Sequence, residues 1–259
     1  MRVNFLLPGI IALGTAGFLQ AANSTVDYQD FQRRYALAPN GRVTIDNPYG
    51  DVCITGWDRN EVEIQVVKTA GLTTRLDDAA VVVDATEERL SVRTEYAGTD
   101  PREPASVEYR ISVPRNANLD DVRLVNGALS IRGVAGPVKA SSVNGNITAE
   151  ALEGMADLAT VNGQVEAGFE RLRASQPISL RSVNGHIVLN IPQGAGAKLL
   201  AQNRSGGIEA DLGRRTRQSA GHRFETVLGG GGASIVLRNV TGGISIHSTW
   251  SRRQEKPGF

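Results

Sequence analysis

Val125-Asn126-Gly127, Val143-Asn144-Gly145, Val161-Asn162-Gly163 and Val183-Asn184-Gly185 are one tripeptide met four times, at steps of 18, 18 and 22 residues. Each copy is followed by a pair two residues apart that is apolar or small: Leu129/Ile131, Ile147/Ala149, Val165/Ala167 and Ile187/Leu189. A unit this short cannot bury its own apolar face and must stack on its neighbours. Asn-Gly between alternating strands also signals a β-hairpin with a type I′ turn, so a meander or sandwich competes with a solenoid. The strict recurrence favours the solenoid, because hairpins need the turn but not the repeat. In a solenoid, identical Asn side chains at one position per coil form a hydrogen-bonded ladder along the axis. This reading places Val125, Val143, Val161 and Val183 in one buried stack and Leu129, Ile147, Val165 and Ile187 in another. It assigns the glycines, Gly145 among them, a left-handed conformation. The expected class is all-β, a right-handed β-solenoid or β-helix-like repeat with a β-rich N-terminal part.

The motif extends outward in altered form. Asn47-Pro48-Tyr49-Gly50 stands where Val-Asn-Gly stands later and reads as a variant first copy. Ser205-Gly206-Gly207-Ile208 and Gly242-Gly243-Ile244 keep the turn and the inward pair. Six or seven coils are expected, each stacked on the next in chain order. Val43/Ile45, Val52/Ile54, Glu61–Val66, Leu90–Thr94 and Val107–Val113 alternate as half-buried strands, and residues 80 to 84 form a short apolar run. Residues 23 to 40 read as a polar lead-in. Asn146 to Leu158 has fair helix propensity, but its flanking Asn-Gly pairs match the β copies, so a helix is rejected.

The chain has 259 residues, 41% hydrophobic and 21% charged, so a packed core is feasible. Twenty-nine glycines with only 5% aromatics suit short strands and tight turns. Arg2 is the only charge before Asp27, the stretch from Phe5 to Phe18 is almost wholly apolar or small, and Ala21-Ala22 offers a cleavage site. That describes a secretory signal peptide over residues 1–22, with an apolar run shorter than the roughly 20 residues of a spanning helix. No Cys follows it, so a lipoprotein is not indicated. Without it the chain carries 27 basic and 27 acidic residues. Nothing there points to nucleic acid or an anionic membrane. Cys53 is the sole thiol, so no internal disulfide can form. The expected organisation is a signal peptide (1–22), a β-rich N-terminal part (23–118), the strand repeat (119–250) and a disordered tail (251–259).

Repeats of this form after a β-rich first part resemble the bacterial putative-adhesin family, exported domains of unknown function with β-strand repeats. The resemblance also covers Gly50-Asp-Val-Cys-Ile-Thr-Gly-Trp-Asp58 with Glu61-Val62, and Val107-Glu-Tyr-Arg-Ile-Ser-Val-Pro114, over about residues 40 to 250. It implies an exported or envelope-associated protein and supplies no catalytic residues.

Candidate chemistry is sparse. His186, His222 and His247 are scattered and form no close-spaced ligand pair, and His186 reads as an outward, solvated residue. Cys53 lies on the strand face opposite Val52 and Ile54, with no His near it in sequence. Glu150, Glu153, Asp157 and Glu166 fall in successive repeats, yet no carboxylate recurs at one register as a lyase or glycosidase pair would require. Arg214, Arg215, Arg217 and Arg223 form the one basic run, a solvated loop or a contact for an anionic polymer. Trp57 reads as a core or cap aromatic before a sugar platform. The expected function is a non-enzymatic envelope or surface scaffold, periplasmic, cell-surface or extracellular. It would need no cofactor or metal and would bind an unknown envelope protein or polysaccharide. The alternatives are a carbohydrate-active enzyme on the same fold and a periplasmic protein-binding factor in envelope stress or signalling.

Overall fold

The computed structural model describes residues 27–70, 76–97, 104–212, 216–219 and 222–249. The signal segment 1–22 and the tail 251–259 lie outside the described residues. The N-terminal strands are β1 (Asp27–Ala36), β2 (Arg42–Tyr49), β3 (Val52–Trp57), β4 (Glu61–Ala70), β5 (Ala79–Ala85), β6 (Arg89–Tyr96) and β7 (Ser106–Pro114). The four regular repeats supply β8 (Asn118–Asn126), β9 (Leu129–Arg132), β10 (Val138–Asn144), β11 (Ile147–Leu152), β12 (Ala156–Asn162), β13 (Val165–Phe169), β14 (Ile178–Asn184) and β15 (Ile187–Pro192). The remainder is β16 (Ala197–Ser205), β17 (Ile208–Asp211), β18 (Thr216–Ser219), β19 (Arg223–Leu228), β20 (Ala233–Thr241) and β21 (Ile244–Thr249). The rejected helix over 146–158 is indeed strand, in β11 and β12. The polar lead-in proves to contain β1, whose ten residues pair antiparallel with β4.

The strands form two large, mostly parallel sheets. Sheet A has ten, in the order β19-β16-β20-β14-β12-β10-β8-β2-β6-β5, and sheet B has eleven, β1-β4-β7-β3-β9-β11-β13-β15-β21-β17-β18. Parallel strands usually demand a helical crossover and bury both faces. Here, in the repeats, the chain instead turns a corner from a strand of sheet A directly into a strand of sheet B, so each sheet keeps one outer face. Side chains alternate accordingly: β12 reads buried at Ala156, Leu158 and Thr160, and β13 at Val165, Ala167 and Phe169. The inward residues of both sheets make one core cluster.

A rung is one strand of sheet A with the strand of sheet B that follows it. The described residues make eight, stacked as β6/β7, β2/β3, β8/β9, β10/β11, β12/β13, β14/β15, β20/β21 and β16/β17. This exceeds the expected six or seven, because β6/β7 forms a rung of its own. Chain order and spatial order also part company at both ends. The rung β2/β3 sits inside β6/β7, and the final rung β20/β21 inserts between β14/β15 and β16/β17. The excursion from 212 to 232 gives the chain the length to return. Antiparallel strands then cover each end: β5, with β4 and β1, at one end and β19 with β18 at the other. β1 and β19 carry charges along their edges, as sheet borders do when they avoid further pairing.

Where each sheet A strand meets the Asn-Gly corner, the backbone stays in register from rung to rung. The Gly127, Gly145 and Gly163 amides donate to the Asn144, Asn162 and Asn184 carbonyls at 3.2, 3.0 and 3.0 Å. Leu129, Ile147 and Val165 then donate to Asn146, Gln164 and His186. The stack Leu129, Ile147, Val165 and Ile187 is buried as expected, each side chain contributing on the order of 1.5–3 kcal/mol. The valine stack is not. Val125, Val143, Val161 and Val183 point outward, 39–40% exposed, and the buried row beneath them is Leu124, Ser142, Thr160 and Ser182. Gly127 and Gly163 take the expected positive φ, 155° and 156°, but for Gly145 and Gly185 the reason for glycine is corrected. Gly145 is absent from the residues with positive φ, but a Cβ there would overlap the Gly127 carbonyl oxygen. The same overlap recurs at Gly127 with Gly50, Gly163 with Gly145, and Gly185 with Gly163. Glycine is required here by the close approach of successive corners.

Candidate interaction surface

The Asn-Gly corner carries two polar rows, one outside and one inside. On the outside, Asn144 donates to Asn126 (2.9 Å), Asn162 to Asn144 (2.8 Å) and Asn184 to Asn162 (3.0 Å), always from Nδ2 to Oδ1. The expected asparagine ladder is therefore present, with its amide dipoles aligned. It stops where Tyr49 pairs with Asn126 and Thr241 with Asn184.

The inside row has no counterpart in the sequence reading. Thr160 donates to the Gly145 carbonyl (2.9 Å) and Ser182 to that of Gly163 (3.0 Å). Asn239 donates to Gly185 O (2.9 Å), Asn203 to Gly242 O (2.8 Å) and Asn47 to Val107 O (2.8 Å). All five are buried, and buried carbonyls need such donors. The signal was visible as Ser, Thr or Asn two residues before the outer Asn position. At the β6 end the row closes on Thr94, which donates to Asn47 Oδ1 (2.9 Å) and shares a hydrogen bond with the Tyr109 hydroxyl (2.7 Å). Burial pushes the Tyr109 phenol above its ordinary range.

Two outer faces remain open to partners. That of sheet A bears, next to the corner, Val125, Val143, Val161, Val183 and Val240 in adjacent strands, with Pro48 and Glu95 beyond one end and Arg204 beyond the other. Further along the strands the residues are charged: Arg181 pairs with Asp157 (2.8 Å), and Arg123 with Asp121. The outer face of sheet B is polar instead. One row runs Cys53, Ser130, Thr148, Glu166, Val188, Ser245, Glu209; the next runs Thr55, Arg132, Glu150, Gly168, Asn190, His247, Asp211. Glu166 accepts from Gln164 and Asn190 (both 3.4 Å), and Arg132 holds Glu150 at 2.5 Å.

The candidate residues do not converge. Of the four carboxylates, Glu150 and Glu166 lie in different rows of sheet B and Asp157 is on sheet A. Glu153 sits in a corner, where Arg173 (3.3 Å) and Arg171 (3.8 Å) hold it. His186 is exposed in the corner before β15 and lies over Gly243, His247 stands between Asn190 and Asp211, and His222 immediately precedes β19. Cys53 is exposed and free. Trp57 is half-buried; its indole donates to Glu61 O (2.8 Å), and the Arg59 guanidinium covers its ring at 4.9 Å. The cation takes the place a stacked sugar would need. Arg223 pairs with Glu225 (3.0 Å); Arg214 and Arg215 lie outside the described residues, as does the side chain of Arg217. Among the described residues no three His, Cys, Asp or Glu side chains group to hold a metal ion. No helix there is long and apolar enough to cross a membrane.

Neither a protein-family model nor a curated protein sequence matches the chain. Among solved structures, it is similar to a putative cell adhesion protein from Clostridium sporogenes. That likeness covers 85% of this chain and 100% of that one, at 11% identity and a TM-score of 0.52. Putative adhesins from Parabacteroides merdae and Bacteroides fragilis align over 84% of this chain and 96% and 97% of theirs. Their identities are 10% and 12%, and their TM-scores 0.37 and 0.38. The resemblance to putative adhesins read from the Val-Asn-Gly repeat thus holds for the fold.

Proposed function

We propose that this is an exported, non-enzymatic β-solenoid, coiled right-handed, whose rigid faces serve as a scaffold or adhesin-like interaction module of the cell envelope. The carrying observation is the outer face of sheet B, where mostly polar side chains of varied kind, hydroxyl, amide, carboxylate and guanidinium, stand in register on successive rungs. Rungs stand about 4.8 Å apart, so a polymeric ligand meets a polar side chain at most rungs, and weak contacts add along its length. Polar, adaptable groups of this kind suit a polysaccharide or an extended polypeptide of the envelope. The neighbours' description as adhesins agrees with this reading.

Within it, residues 1–22 are a cleaved signal segment, placing the protein in the periplasm, on the surface or outside the cell. Residues 23–118 form one end of the two sheets, 119–250 the repeat, and 251–259 a tail. The reading uses no cofactor and no nucleic acid. Against the carbohydrate-active alternative stand the partners that hold the two carboxylates sharing the outer face of sheet B, Arg132 on Glu150 and Gln164 with Asn190 on Glu166, and the placing of Glu153 and Asp157 on other surfaces, since a glycosidase needs two carboxyl groups flanking one bond. The test is capture by the processed protein from solubilised envelope proteins and a panel of bacterial and plant polysaccharides, with reducing ends assayed alongside. Polysaccharide binding without chain cleavage is expected, and Thr148→Arg should weaken it. Release of reducing ends would overturn the non-enzymatic reading. Capture of one defined protein, with no polysaccharide bound, would favour the signalling alternative.

A further inference from the structure

The outer face of sheet A matches itself. Next to the corner its row reads, from the β6 rung to the β16 rung, an acid (Glu95), an apolar stretch from Pro48 to Val240, and a base (Arg204). The five valines, Val240 included, are each 39–40% exposed. A soluble protein seldom leaves so regular an apolar stripe bare without a partner for it. Identical β-branched side chains at strand spacing interdigitate best with a second row of the same spacing, as in dry interfaces between stacked sheets. This chain carries such a row.

We propose that a second copy of this chain docks on the outer face of sheet A, making a two-fold dimer. The axis lies in the interface, parallel to the strands, between β10 and β12. It sets the first rung against the eighth, the second against the seventh, and so inward. Val143 then meets Val161 of the partner subunit, and Glu95 meets Arg204 of the partner subunit at both ends of the stripe. The next rows fit the same operation. Asp46, on the second rung, faces the partner's Arg238, and Lys139, on the fourth, faces the partner's Asp157. Like charges meet where Arg123 lies opposite the partner's Arg181, each neutralised by an aspartate of its own chain, and at the margins of the face, where Arg89 lies opposite the partner's Lys198 and Asp84 opposite the partner's Glu225. Three charge pairs agree with the one axis that also centres the apolar stripe, as an isologous interface requires, with Glu95 and Asp157 each shared between the partner's cation and one of their own chain, Arg93 (2.6 Å) and Arg181 (2.8 Å). Eight rungs by about five residues give a flat face of roughly 600 Å², and side-chain relief brings it near the roughly 800 Å² per partner of a stable complex. The inference does not rest on any ligand of sheet B.

Sedimentation equilibrium of the processed protein tests it. The parent should dimerise with a dissociation constant in the micromolar range. Val161→Lys, at an already exposed position, should weaken the dimer at least about tenfold by setting a cation against the apolar stripe. Arg204→Glu faces the partner's Glu95 at two symmetric places and should weaken it about tenfold. Adding Glu95→Arg to Arg204→Glu should restore the parent's dissociation constant to within about threefold. Thermal melts check that each variant folds, and if Val161→Lys does not, the charge exchange decides alone. A monomer up to about 300 μM, or a dimer indifferent to Arg204→Glu, would overturn the proposal.

Discussion

The four central rungs and the rungs that flank them solve the same corner with an asparagine in different places. From β8 to β14 the asparagine is outside, in the exposed chain Asn126, Asn144, Asn162, Asn184, and the inner position holds Leu124 or a small hydroxyl residue. On the rungs of β2, β20 and β16 the outer place falls to Tyr49, Thr241 and Ser205, and the inner one becomes Asn47, Asn239 and Asn203. The amide has moved two residues up the chain, from one side of the corner to the other. A longer inner side chain reaches two carbonyls at once: Asn239 bonds Gly185 and Gly243, and Asn203 bonds Gly242 and Gly207. An outer ladder works only between like neighbours, since each amide needs another amide to receive its proton. A rung with an unlike neighbour must fix its corner from within. Those are the rungs where the chain departs from sequential order.

The strongest way to break both kinds of corner is through the glycine they share. Gly145→Val places a side chain where the Gly127 carbonyl already lies. The two rungs must separate or the corner must unwind, with loss of at least about 3 kcal/mol. Gly207→Ala, with nothing within 4 Å of its added methyl, should stay within about 0.5 kcal/mol of the parent in the same denaturant titration. If Gly145→Val melts like the parent, the close approach of successive corners is not what holds the stack.

A second comparison separates inside from outside. Asn239→Ala removes the donor of the buried Gly185 carbonyl and leaves that oxygen without a substitute, at a cost of about 2–3 kcal/mol. Asn162→Ala cuts two ladder bonds, but water reaches the freed amides of Asn144 and Asn184, and about 1 kcal/mol is expected. Equal losses in the two variants would mean that the outer ladder is protected from solvent and that the distinction between the two kinds of corner fails.

The sequence displayed the repeat, the all-β class, the asparagine ladder and the variant first copy at Asn47–Gly50, because each is a local pattern repeated at one spacing. It misled on which residue of Ser-Val-Asn or Thr-Val-Asn goes inside. Hydrophobicity argues for burying Val143 over Ser142 and Val161 over Thr160. The corner reverses this, since glycine carbonyls turned into the core need a hydroxyl or amide donor and valine has none. The rung order was hidden for another reason. β20/β21 and β16/β17 carry equivalent turns and inward pairs, so no local feature shows which of them lies against β14/β15. For the surface, the sequence separated candidate residues by strand but not by sheet. Only the register shows that Glu166 and Asp157, nine residues apart, look out from opposite sides of the molecule.

The smallest effect tests the inner row most finely, because nature has left one of its members idle. Thr160 and Ser182 each donate to a corner carbonyl, whereas the Ser142 hydroxyl is buried with no partner. Its neighbour on the β8 side is Leu124, so the row loses its polar character at that rung. A buried hydroxyl without a bond carries a desolvation cost that its methyl counterpart does not. Ser142→Ala should therefore be neutral or slightly stabilising, while Ser182→Ala, which deprives Gly163 of its donor, should cost about 1 kcal/mol. Paired melts of the two variants read the difference directly. A loss at Ser142 equal to that at Ser182 would show that the Ser142 hydroxyl also bonds at its corner, and that the inner row continues unbroken as far as β10.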